Sequence, residues 1–72
     1  MVDIFEELAN AVILQAVKDY RQALRQLKRN PEYEKAVDMK EDCEHFFQSE
    51  WFEALTKVDG PWLMRKLREE AE

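Results

Sequence analysis

IFEELANAVILQAVKDYRQALRQLKRNP, residues 4–31, decides the fold. From Ile4 to Val17 the stretch is apolar almost all the way round a helix. From Ile13 onward one stripe continues as Ile13, Val17, Tyr20, Leu24 and Leu27, at steps of 4, 3, 4 and 3. That period belongs to a one-sided amphipathic helix. Asp3 with Glu6 three residues later has capping-box spacing. Asn30-Pro31 ends the segment, because proline disfavours helical geometry at the residue before it. The reading is a helix from Asp3 to Arg29.

The next apolar set is Tyr33, Ala36, Val37, Met39, Cys43, Phe46 and Phe47, which shares one side of a helix from Glu32 to about Gln48. Glu34, Asp38, Glu41, Asp42 and His45 fall on the other side. So short a connection folds the two helices into an antiparallel hairpin. Ser49 suits the cap of a short third helix, Glu50 to about Lys57, carrying Trp51, Phe52 and Leu55. Asp59-Gly60-Pro61 reads as a turn, with Pro61 at the first position of a fourth helix running to about Glu70. Leu63, Met64, Leu67 and Ala71 form its apolar face, and Trp62 falls off that face. At 1.5 Å per residue the first helix is about 40 Å long and the second about 25 Å. The second therefore ends near the all-round apolar half of the first, where the third and fourth helices are expected to surround it. Any part left uncovered is a dimer face.

Composition supports an all-α chain. With one glycine and two prolines in 72 residues, there is too little turn chemistry for a sheet. The length allows a single helical domain, residues 1–72, of marginal stability. An apolar fraction of 46% excludes disorder. One cysteine, Cys43, cannot form an internal disulfide and suggests a reducing compartment. Acids at Asp3, Glu6 and Glu7 stand where a secretory leader would be basic. The longest apolar run, Ala11 to Leu14, is far too short to span a bilayer. The expectation is a cytoplasmic protein with no membrane partner.

A net charge of −5 weighs against nucleic acid and anionic membrane surfaces. Lys18, Arg21, Arg25, Lys28 and Arg29 do form a basic stripe on the first helix. It reads as a solvated flank that attracts the acids of the second helix and complements the helix C-terminal dipole. The alternative is a nucleic-acid-binding regulator, with the last two helices as a helix-turn-helix and Arg21, Arg25, Arg65, Lys66 and Arg68 on phosphate. Pro61-Trp62-Leu63 at the start of the fourth helix and the acids at its end oppose that reading. His45 with Glu41 and Asp42 has metal-like spacing, but faces away from the apolar side, and no second histidine exists. Cys43, flanked by Asp42 and Glu44, reads as a buried inert thiol. Lys40 projects near the middle of an apolar face, where it snorkels or pairs with Glu44. No catalytic residue, cofactor site or metal site is expected.

Over Ala11–Pro31 (AVILQAVKDYRQALRQLKRNP) and Phe46–Glu70 (FFQSEWFEALTKVDGPWLMRKLREE) the chain resembles small all-helical proteins of Gram-positive gut bacteria and their mobile elements. The resemblance runs from about residue 10 to the end. It implies carriage on a mobile element and admits an inhibitor of a host protein, but it transfers no activity and no site residue. The function expected from the residues is a non-catalytic interaction or regulatory protein, partnered by another protein or by itself as a homodimer. Its contacts are expected at Ile4, Leu8, Ala11, Leu14 and Trp62.

Overall fold

The computed structural model describes residues 4–71. Four helices follow one another: α1 (Ile4–Arg29), α2 (Glu34–Phe47), α3 (Glu50–Leu55) and α4 (Gly60–Ala71), with no strand among the described residues. Asp3, the expected cap of α1, lies outside them. The fold is the expected long helical hairpin with two shorter helices, and α1 sets its 45 Å length.

The hairpin turn differs in detail from the sequence reading. Helix α2 begins at Glu34, not Glu32. The Tyr33 amide donates to the Asn30 carbonyl at 3.1 Å, closing a four-residue turn with Pro31 in second place. Proline's fixed φ suits that position, so Pro31 builds the turn and not the helix. Tyr33 becomes the extended residue before α2 and is exposed, off the apolar face assigned to it. Below the turn, Ala23 and Ala36 are fully buried. Two methyl side chains let helices approach closely.

The core lies where α1, α2, α3 and α4 meet. Tyr20, Cys43, Phe47, Phe52, Met64 and Leu67 are buried together, with Ile13, Val17, Leu24, Met39, Phe46 and Leu63 packed around them. Phe47 is the centre, edge-on to Tyr20 at 5.6 Å and to Phe52 at 5.6 Å. Such pairs add about 0.5–1.5 kcal/mol each beyond their burial. Ser49 joins α2 to α3: its Oγ donates to the Phe46 carbonyl at 2.6 Å and accepts the Phe52 amide at 3.1 Å. Helix α3 stops at Leu55 rather than Lys57. Thr56 is extended, and its hydroxyl accepts the Val58 amide at 3.2 Å. This local bond competes with another helical turn.

Helix α4 takes a course opposite to expectation. It does not pass the N-terminal half of α1; it folds back along the C-terminal half. Arg21 holds Glu70 through Nε at 3.0 Å, and Lys28 Nζ donates to the Ala71 carbonyl at 3.4 Å. One side of the N-terminal half of α1 is covered by α3, under which Ala9 is buried. The start of α4 explains the reversal. Gly60 is the first residue of the helix, with Pro61 second, and the Leu63 amide donates to the Asp59 carbonyl at 3.0 Å. Gly60 has no positive φ. Its use is its size, because a Cβ there would overlap the Phe47 carbonyl oxygen and lie 2.8 Å from the carbonyl carbon.

One carboxylate ties three helices. Glu44 Oε2 accepts the Tyr20 hydroxyl at 2.7 Å and pairs with Lys40 at 3.2 Å and Arg68 at 3.7 Å. Burial raises the Glu44 pKa, but the bonds from Tyr20 and Lys40 and the charges of Lys40 and Arg68 outweigh it, leaving the group below its ordinary 4.5. Burial, and then the bond to Glu44, push the Tyr20 phenol well above its ordinary value.

Two outcomes are expected. Gly60→Ala destabilises by about 1–3 kcal/mol, because backbone must shift; chemical denaturation measures it, and an unchanged midpoint would refute the close approach. Glu44 has a depressed pKa in the fold, so its stabilisation is present above pH 4.5 and is lost as pH falls through its lower folded value. Glu44→Gln then costs about 1.5–3 kcal/mol at neutral pH. In melting curves recorded at successively lower pH, that cost shrinks towards zero below 4.5.

Candidate interaction surface

Folding α4 back leaves the far end of α1 partly bare. Ile4 is 72% exposed, Leu8 62%, Leu14 59%, Trp51 59% and Trp62 46%. Ala11 and Phe5 are exposed as well. At 100° per residue, Ile4, Leu8 and Ala11 fall within about 60° of arc, roughly opposite the buried side marked by Ala9, Ile13 and Tyr20. They form one stripe. Leu14 lies about 90° from the middle of that stripe, on the flank shared with Glu7 and Arg21. Trp62 is on α4, where Lys66 Nζ sits 6.0 Å from its ring centroid. The five expected contact residues are thus all exposed, but only Ile4, Leu8 and Ala11 share a face.

Trp51, carried on α3 beside Phe52, is a wall of the surface. Its ring meets Phe46 edge-on at 5.3 Å. Neighbouring residues on a helix point about 100° apart, and six-residue α3 has one buried side, which Phe52 occupies. That step was the available signal. Between Trp51 and α1 runs a groove of about 330 Å³ lined by Val12, Gln15, Ala16, Cys43 and Phe46 among others. Its mouth adjoins the stripe on the α3 side.

The basic stripe meets α4, not the acids of α2 as expected. The contact is a two-point pair from Arg21 Nε and Nη2 to the two oxygens of Glu70, at 3.0 and 3.2 Å, with both side chains exposed. The Lys28 bond to the Ala71 carbonyl lies at the C-terminal, negative end of the α4 dipole. Among the residues assigned to phosphate, Arg68 reaches Glu44 and Lys66 reaches Glu69 at 3.6 Å. Arg25 and Arg65 are exposed. Arg21 and Arg25 share one surface depression with Glu70, and Arg21, Lys66 and Arg68 each face a carboxylate, which lowers the local potential that a phosphate would meet.

Cys43 is buried, and its thiol is pushed up to about 11 by burial, then by the charges of Asp19, Asp42 and Glu44. It stays protonated at neutral pH. His45, Glu41 and Asp42 are exposed, and no three His, Cys, Asp or Glu residues converge on a metal-sized site among the described residues. No helix of the described residues is long and apolar enough to cross a membrane. No family model, curated protein or solved structure matches the chain.

Replacing Arg21 and Arg25 together by glutamate should leave helicity unchanged. An exposed pair contributes about 0–1 kcal/mol, so the melting temperature falls by no more than about 8 °C. Loss of the circular dichroism signal would make the stripe a structural element instead.

Proposed function

We propose that this chain is a non-catalytic interaction protein that self-associates through the uncovered face of α1. The observation that carries the reading is the exposure of Ile4 and Leu8 on one stripe, beside exposed Trp51. Isolated exposed apolar residues are ordinary on protein surfaces, whereas a contiguous set marks an interaction site. Aromatic anchors at its edge are common in binding hot spots. A buried, protonated Cys43 and an exposed His45 on the opposite side of α2 supply no nucleophile–base pair, which favours binding over catalysis. The carboxylate-paired cations give nucleic acid less support than the apolar stripe gives a protein contact.

Magnitudes fit a concentration-dependent assembly. Fully burying an aliphatic side chain contributes about 1.5–3 kcal/mol. With Ile4 72% and Leu8 62% exposed, the two residues from two copies supply on the order of 4–8 kcal/mol, against an association cost of about 4–15 kcal/mol. Neighbouring groups decide the balance.

Light scattering through a dilution series tests this. Wild type should approach twice the 8.7 kDa chain mass at high concentration and fall toward it on dilution. Leu8→Glu should remain at chain mass with helicity intact, since Leu8 is exposed. A wild-type mass fixed at one chain throughout would sink the proposal, and DNA binding that weakens with salt would move the assignment to the basic residues.

A further inference from the structure

The groove beside Trp51 differs from the bare stripe, because it carries charge of its own. Val12, Phe46 and Trp51 wall it at the α3 end, Ala16 and Cys43 lie along it, and Asp19 and Asp42 stand at the other end. Helices α1 and α2 run antiparallel, so the two carboxylates reach that end from opposite walls. Their charges both act on the Cys43 thiol, which places them near one point. Neither carries a counter-ion. Asp19 Oδ1 accepts the Gln15 side-chain amide at 3.0 Å, and among the described residues neither carboxylate forms an ion pair. Lys18 points about 100° round α1 from Asp19, and Lys35 is seven residues from Asp42, about 10 Å along α2.

An occupant matched to this groove has an apolar group at one end and a cation at the other. From Val12 to Asp19 is seven residues, about 10 Å. One helical turn covers about 5 Å of that. The stem of a lysine or arginine covers the rest, lying on apolar surface and keeping its charged head in water. The groove is open along its length, so it would enclose little of a small molecule. It presents itself instead to one side of a helix, in the way that amphipathic helices are bound. Exposed Trp51 adds a ring to the apolar end.

We propose that the Trp51 groove docks a basic amphipathic helix of a partner protein, with an apolar side chain against Val12, Phe46 and Trp51 and a lysine or arginine one turn on, between Asp19 and Asp42. The net charge of −5 draws such a segment in, and the two carboxylates fix which way it lies. This contact goes beyond self-association and does not depend on it. Its occupant is cationic, whereas the stripe of Ile4, Leu8 and Ala11 offers no charge.

Fluorescence titration tests this in a Trp62→Phe chain, whose sole tryptophan is Trp51. The probe is a synthetic helical peptide of leucine and lysine, with leucine along one face. Its binding should shift the Trp51 emission to the blue. Asp19→Asn with Asp42→Asn should weaken binding about tenfold, as the loss of two solvent-accessible charge pairs allows. Glu34→Gln with Glu41→Gln removes the same net charge from the far side of α2, where both residues are exposed, and should change affinity by less than about twofold. Circular dichroism checks that each variant keeps its helicity. Equal weakening by the two pairs would show attraction by net charge alone and overturn the proposal. So would an unshifted emission, or equal binding of a peptide with glutamate in place of lysine. Light scattering at the same concentrations separates this contact from self-association. A wild-type mass that falls on Asp19→Asn with Asp42→Asn, without peptide, would make a second copy the occupant and also overturn the proposal. Peptide binding by a chain fixed at the mass of one copy would uphold it while self-association fails.

Discussion

The Phe47 carbonyl leaves no room for a side chain at position 60, and the course of α4 follows from that contact. Because the first turn of α4 lies against the last residue of α2, the helix cannot continue outward along the direction of α3. It turns back over the seam of the hairpin, where Met64 and Leu67 are buried against Tyr20 and Phe47. The same course carries Arg68 to Glu44 and Glu70 to Arg21. It also determines what stays bare. Twelve residues of α4 spent on the lower half of α1 leave six-residue α3 to cover the upper half.

Apolar and polar contacts divide the work within the core. Burial of Tyr20, Phe47 and Phe52 is the larger stabilising contribution, at about 1.5–3 kcal/mol for each large side chain before conformational entropy is counted. Those rings are compatible with several ways of packing a short helix against a hairpin. Glu44 is less permissive. It meets groups from α1, α2 and α4 on a single oxygen, and sliding α4 by one turn would separate Arg68 from it. Lys40, the charge that looked misplaced on an apolar face, is one of its partners. The exposed Arg21–Glu70 pair adds little energy but acts in the same sense, at the far end of α4.

Periodicity made the elements legible and left their meeting partly hidden. The 4, 3, 4, 3 stripe of α1 identified the seam, and Ser49 acts as the cap that its position before Glu50 suggested. Pro31 was harder to place, because proline is welcome both in a helical first turn and in a β-turn. The Asn30–Tyr33 hydrogen bond decides for the turn. Thr56 ended α3 through its hydroxyl, a local competition that apolar spacing does not record. The direction of α4 was not readable, since a glycine before a helix signals a turn whether the chain needs its φ or its lack of a side chain. Of the candidate surface, Ile4, Leu8 and Ala11 could be found from their phase on α1. Trp51 could not be separated from Phe52 without knowing which of two adjacent rings met the core.

The uncovered stripe also bears on the stability of the helix that carries it. Residues 4–11 of α1 lie beyond Val12 and Ile13, which meet α2, and have α3 on one side. A helical segment this short is marginal in water by itself, because nucleation is costly and propagation gains little per residue. Here it is nucleated by the long amphipathic part below, so it stays helical, but its end can fray at small cost. Covering Ile4 and Leu8 removes apolar surface from water and also holds the last turns in place. Both contributions favour the same state, and anything that binds the folded stripe but not the frayed one raises apparent stability with its own concentration. In a chain of 72 residues, where the core alone leaves little margin, the exposed end of α1 is therefore the place where partner binding and folding are thermodynamically linked.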